Sequence, residues 1–187
     1  MIVREIDIDC YTIKFDSKPI YEEGSADNLH HYNAVYLNAP EREGTKYDIA
    51  VFFADDLEKR VLIQSSGGST TIHKTSFVAE PDRLVICCSN TVFCLSIPDL
   101  LLLWKTEADD VTCFQIFKHQ SDYIIHGELA ISRINHNGEV LWQRSGGDIF
   151  VKMHSLEEDF VITDNHILVT DWENRRYKFD FNGNSIY

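Results

Sequence analysis

The sequence predicts an all-β chain of about four small antiparallel sheets, and three observations predict it. Short runs rich in β-branched and aromatic residues recur between turn formers: Val35–Leu37, Ile49–Phe53, Val61–Ile63, Leu84–Ile86, Tyr123–Ile125, Phe160–Ile162 and Ile167–Val169. No stretch longer than ten residues keeps its apolar positions at helical spacing. Finally, one segment recurs along the chain.

Val61–Gly68 (Val-Leu-Ile-Gln-Ser-Ser-Gly-Gly) and Val140–Gly147 (Val-Leu-Trp-Gln-Arg-Ser-Gly-Gly) agree at six of eight positions, 79 residues apart. Leu102–Trp104 lies midway, and weaker copies at Tyr11–Tyr21 and Ile167–Phe179 flank the three. Aligned on the last large residue of the second strand, the series is Tyr21, Ile63, Trp104, Trp142, Phe179, at intervals of 42, 41, 38 and 37. A period of about 40 residues is the length of one four-stranded blade, and a closed ring takes at least about four of them. The expected architecture is therefore one domain, a small propeller-like array with an N-terminal hairpin at 1–21. Blade-like units follow at about 22–64, 65–106, 107–145 and 146–187. The phase of the last unit stays open, because Tyr177–Tyr187 is itself a hairpin sequence around Asn182-Gly183, a pair suited to a type I′ turn. Pairing of Ile6–Phe15 with Tyr177–Phe181 would close the ring and remove its free edges; closure by forming a homodimer is the alternative.

The strand, Asn-x-x-Gly turn and Val-Leu-Trp pattern is clearest at Asn135-His-Asn-Gly-Glu-Val-Leu-Trp142. It resembles the outer hairpin of quinoprotein-type propeller blades, and WD-repeat blades are similar in length. The resemblance spans roughly residues 50–180 and implies an architecture. It carries over no active site and no cofactor, since no docking or metal-ligand motif of the quinone-dependent dehydrogenases is matched.

Among the 187 residues, 44% are hydrophobic and 25% charged, the range of an ordinary globular protein. Seventeen Lys and Arg against 30 Asp and Glu leave a net charge of −13, which repels phosphate backbones and argues against a nucleic-acid partner. Met1–Cys10 carries acids where a secretory signal has an apolar core. Leu100–Trp104 is the longest apolar run, far short of the ~20 residues that span a bilayer. A soluble, cytoplasmic protein without a membrane partner is expected. Cys10, Cys87, Cys88, Cys94 and Cys113 are odd in number and form no Cys-x-x-Cys pair, so core thiols are the expected role.

Sorting the loops by blade position predicts one face made of residues 22–27, 64–74, 89–90, 105–110, 126–128, 143–148 and 163–166. Glu107, Asp109, Asp110, Glu128, Asp148 and Asp164 are its candidate partner-binding residues, against the bases Lys74, Lys105 and Arg144. A solvated rim that keeps the chain soluble is the simpler explanation; docking of a basic protein is the functional one. His126 and His166 occupy related positions, and with Glu128 and Asp164 they are the candidate set for a central metal or acid–base site. Ordinary turn chemistry is the competing reading. Gly67-Gly68 and Gly146-Gly147 lack the Lys-Ser/Thr and the helix of a phosphate loop, which leaves flexible connections. No Gly-x-Ser-x-Gly nucleophile frame occurs. Trp104 and Trp142 recur with the repeat and are expected between blades, whereas Trp172 is out of register and expected to be partly exposed.

The expected function is a non-enzymatic cytoplasmic binding module that uses acidic loop faces and no cofactor. A stoichiometric inhibitor of a basic protein fits that class. The alternative is a small metal-dependent hydrolase or lyase working through His126, Glu128, Asp164 and His166.

Overall fold

The computed structural model describes residues 4–17, 19–38, 44–151 and 159–186. Among them no helix forms, and four small sheets follow one another along the chain. The first holds β1 (Arg4–Ile8), β2 (Tyr11–Asp16), β3 (Ala34–Leu37), β4 (Thr45–Phe53) and β5 (Asp56–Ser65), in the order β1-β2-β4-β5-β3. The second is the meander β6 (Phe77–Glu80), β7 (Arg83–Cys88), β8 (Thr91–Ser96) and β9 (Leu102–Glu107). The third repeats it with β10 (Cys113–His119), β11 (Asp122–Gly127), β12 (Ala130–Ile134) and β13 (Val140–Ser145). The fourth has β14 (Phe160–Ile162), β15 (Ile167–Thr170) and β16 (Arg176–Phe179), and a bridge from Phe179 to Ser185 begins a further strand beside β16. Neighbouring strands are antiparallel except β3, which runs parallel to β5 from Ala34↔Val61 to Leu37↔Gln64. This is the propeller-like, all-β array that the repeat predicts.

Strand composition follows position. β7 and β8 are apolar on both faces because a sheet lies on either side of them. Alternate side chains serve the two neighbours: Leu84, Ile86 and Cys88 join the core shared with the first sheet, while Val85 and Cys87 join the core shared with the third. Ile124 and Ile131 of the third sheet pack in turn against Phe160, Val169 and Phe179 of the fourth. The outer strands β9 and β13 have water beside them and alternate or expose their residues. Four of the cysteines are buried in these cores, but Cys10 is exposed in the β1–β2 turn, a departure from the expected core role.

The three hydrophobic clusters lie between successive sheets, and none among the described residues joins the fourth sheet to the first. The seam pairing expected between Ile6–Phe15 and Tyr177–Phe181 is not formed. Ile6 faces Ile13 within the β1–β2 hairpin, and β2 is flanked on its other side by β4, so β2 has no free edge to offer. The segment 19–33 is tied to β4 and β5 of the first sheet through Tyr21, Tyr32 and Asn33. The Asn33 N–H donates to Arg60 O at 2.8 Å, and the Arg60 N–H donates back to Asn33 Oδ1 at 2.8 Å. Tyr32 OH donates to Asp48 Oδ2 at 3.1 Å beneath this segment. Burial pushes the Asp48 carboxyl above its ordinary value although the Arg60 guanidinium lies 3.3 Å away.

The last unit takes the second of the two registers that the sequence left open. Asn135–Glu139 and Asp180–Asn184 form the same turn: the first residue's Oδ1 accepts the N–H groups of the residues two and four further on. The glycine in the fourth place has a positive φ, 88° at Gly138 and 79° at Gly183. Asn182 is not in the left-handed region, so the expected type I′ turn is replaced by this asparagine- or aspartate-capped loop.

Candidate functional site

Antiparallel meanders place connections alternately at two ends. One end, called here the loop end, carries the links between sheets and the turns between second and third strands. A ladder of backbone hydrogen bonds laces it together: Gly68 N–H to Val111 O at 2.8 Å, Cys113 N–H to Ser89 O at 2.7 Å, Glu128 N–H to Thr112 O at 2.8 Å, Phe150 N–H to Glu128 O at 2.7 Å and Trp172 N–H to Ile149 O at 2.8 Å. The glycine pairs belong to this packing and are not the flexible links the sequence suggests. A Cβ on Gly68 would lie 1.9 Å from Thr112 Oγ1, and one on Gly146 would lie 2.7 Å from the Phe150 ring.

The six candidate acids divide among different environments. Asp109 is buried, and its carboxylate accepts four backbone N–H groups: Val111 at 2.8 Å, Thr112 at 3.1 Å, Leu129 at 2.8 Å and Ala130 at 2.9 Å. It ties the link between the second and third sheets to the β11–β12 turn and offers nothing to a partner. Glu107 and Asp110 are exposed, Glu128 and Asp148 half-buried, and all four lie at the loop end. Glu107 accepts a hydrogen bond from Asn38 Nδ2 at 2.8 Å, and Asp148 caps the Ile149 N–H at 2.8 Å. Asp164 and His166 are elsewhere: they sit in the β14–β15 turn, at the opposite end of β14 from the loop end. His166 is engaged with its own turn through Thr163 Oγ1 at 3.0 Å.

The structure therefore separates the set His126, Glu128, Asp164 and His166 into two ends. Among the described residues no group of three or more His, Cys, Asp or Glu side chains is placed to hold a metal ion. His126 is buried, with Nδ1 2.9 Å from Gln115 Oε1 and Nε2 3.0 Å from Phe150 O, so neither nitrogen is left for a ligand. Burial holds its imidazole down at about 4. Gln115 Nε2 donates to the Thr75 hydroxyl, 3.1 Å away. Thr75 is joined in turn to His73 Nδ1 at 3.2 Å.

This network forms part of the wall of a cavity of about 580 Å³ that sequence reasoning missed. Phe114 and Phe117 of β10, Phe150 of the following link, and Phe160 and Ile162 of β14 supply apolar wall. Phe160 is sandwiched, stacked on His126 at 4.6 Å and on Phe117 at 5.4 Å between ring centroids. The residues come from five separate segments, so no local motif announces them. The one signal in sequence is the aromatic density of Cys113–Phe117, where a bulge between Cys113 and Gln115 breaks the regular alternation.

No protein-family model matches this chain, and no curated protein sequence matches it. Solved structures do. The computationally designed Ika8 protein is similar with a TM-score of 0.54 at 8% identity, covering 100% of this chain and 60% of that one. BamB from Moraxella catarrhalis is similar with a TM-score of 0.51 at 13% identity, covering 81% of this chain and 47% of that one. The chain thus spans less than two thirds of the length of either, and at such identity the likeness shows the fold alone: a propeller-like arrangement of sheets.

Proposed function

We propose that the chain is a non-catalytic binding module that works in the cytoplasm and holds a basic protein against its loop end, as a stoichiometric inhibitor would. The observation that carries this reading is the set of carboxylates left over there. Glu107, Asp110, Glu128 and Asp148 make no ion pair among the described residues. Two of the three bases expected on that face are turned to backbone oxygens instead, Lys105 Nζ to Leu37 O at 2.6 Å and Arg144 Nε to Gly183 O at 2.7 Å. Unpaired like charges on one rigid surface accelerate encounter with a basic partner and exclude acidic ones.

The test is capture from native cell extract at low salt with three baits: the unaltered chain, the triple variant Glu107→Lys, Asp110→Lys, Glu128→Lys, and Asp164→Lys. One basic protein retained in stoichiometric yield by the unaltered chain and Asp164→Lys, released above physiological salt and absent from the triple variant, is the expected result. Equal recovery on all three baits would overturn the reading.

A further inference from the structure

The cavity beside His126 is not used by that reading. Its volume of about 580 Å³ lies within the ~300–1,000 Å³ usual for small-molecule sites. Its polar side chains other than Asp159 are spent on one another or on backbone: His73 on Thr75, Thr75 on Gln115, Gln115 on His126, and His126 on Phe150 O. The His73 ring is also hydrogen-bonded to the Phe114 backbone. A strongly polar ligand would have to break this chain and leave a buried group unsatisfied. Apart from Asp159, which already has a partner, the rest of the wall is aromatic or aliphatic, from Phe114, Phe117, Phe150, Phe160 and Ile162 among others.

We propose that this cavity is a binding site for a small, uncharged, mostly apolar molecule of one or two rings, seated against Phe114, Phe160 and Ile162. The His73–Thr75–Gln115–His126 network fixes the wall and does not read the ligand. Charged molecules are excluded because the network provides no free counter-charge, its buried imidazole stays neutral, and the one acid in the lining, Asp159, already has a partner.

The probe is N-phenyl-1-naphthylamine, a neutral bicyclic amine that brightens in apolar surroundings, titrated into the full chain at low and high salt. Saturable one-to-one binding, insensitive to salt, is expected. Ile162→Trp fills the cavity and is expected to weaken binding at least tenfold. Leu168→Trp, on the neighbouring strand at an exposed position, is expected to leave it within twofold. Phe114→Ala guards against a folding artefact, because Phe114 belongs to none of the three cores, and it is expected to weaken binding several-fold at an unchanged melting temperature. Absence of saturation, equal binding by Ile162→Trp and Leu168→Trp, or displacement of the probe by tetraethylammonium would each overturn the proposal. Salt-sensitive capture at the loop end and salt-insensitive probe binding here fail separately.

Discussion

Trp104 lies flat against Gly138 of the next sheet, so close that a Cβ on the glycine would stand 2.7 Å from the indole Cδ2. The indole N–H donates to His136 O at 3.0 Å, and Thr106 Oγ1 donates to Gly138 O at 2.6 Å. Trp142 repeats the arrangement one sheet later, 2.7 Å from a Cβ on Gly183 and donating to Phe181 O at 2.9 Å. The periodic tryptophan and the glycine-bearing turn are two halves of one joint between sheets. Between the first two sheets Tyr36 stands in for the indole, its hydroxyl donating to Leu100 O at 3.0 Å.

Gly138→Ala tests the joint. The new methyl meets the indole, and a φ of 88° strains any L side chain. A loss of ~2 kcal/mol is expected from overpacking and backbone strain together, read from urea unfolding. Gly24→Ala is the control for backbone strain alone, since its φ is 73° and nothing lies within 4 Å of a Cβ there.

Asp109 and Asp110 are adjacent and opposite in fate. Asp109→Ala strands four backbone N–H groups at the loop end and is expected to cost on the order of 3 kcal/mol. Asp110→Ala, at an exposed position, is expected to stay within ~0.5 kcal/mol. Thermal unfolding of the two variants side by side checks the difference.

His126 makes stability depend on pH. Its imidazole is held at about 4 in the folded chain against 6.5 when free. Between these values the unfolded chain binds the extra proton, so the stabilisation is complete above about pH 6.5 and is lost as pH falls toward about 4. The expected loss is ~3 kcal/mol. His73 and His119, also lowered by burial, act in the same direction. His126→Gln removes the largest contribution, and unfolding measured from pH 7 to pH 4.5 is expected to show a shallower slope than for the unaltered chain.

The thiols divide by burial. Desolvation pushes Cys94 up to about 11 and raises Cys87, Cys88 and Cys113 further, while Cys10 is exposed. An aromatic disulfide reagent at pH 8 is expected to react promptly with one thiol in the folded chain and with all five in denaturant. Prompt reaction of a second thiol would contradict the packing of β7 and β8.

Strand positions, the repeat and its tryptophans were legible in the sequence, because strand periodicity, turn chemistry and aromatic spacing are local properties. Val61-Leu-Ile63 and Tyr123-Ile-Ile125 are strands wherever they pack. Which end of a sheet a loop occupies depends instead on how many strands precede it. One strand's error in the phase of the last unit moved Asp164 and His166 from one end to the other in the expected arrangement. Burial is decided later still. Asp109 and Asp110 are alike in sequence, and only the approach of Leu129 and Ala130 makes one a buried acceptor and leaves the other to water. The cavity is the extreme case: Thr75, Gln115, His126 and Phe150 meet through separate hydrogen bonds across long stretches of chain. Local pattern determines the elements of this protein; the docking of one sheet on the next determines which side chains remain free to act.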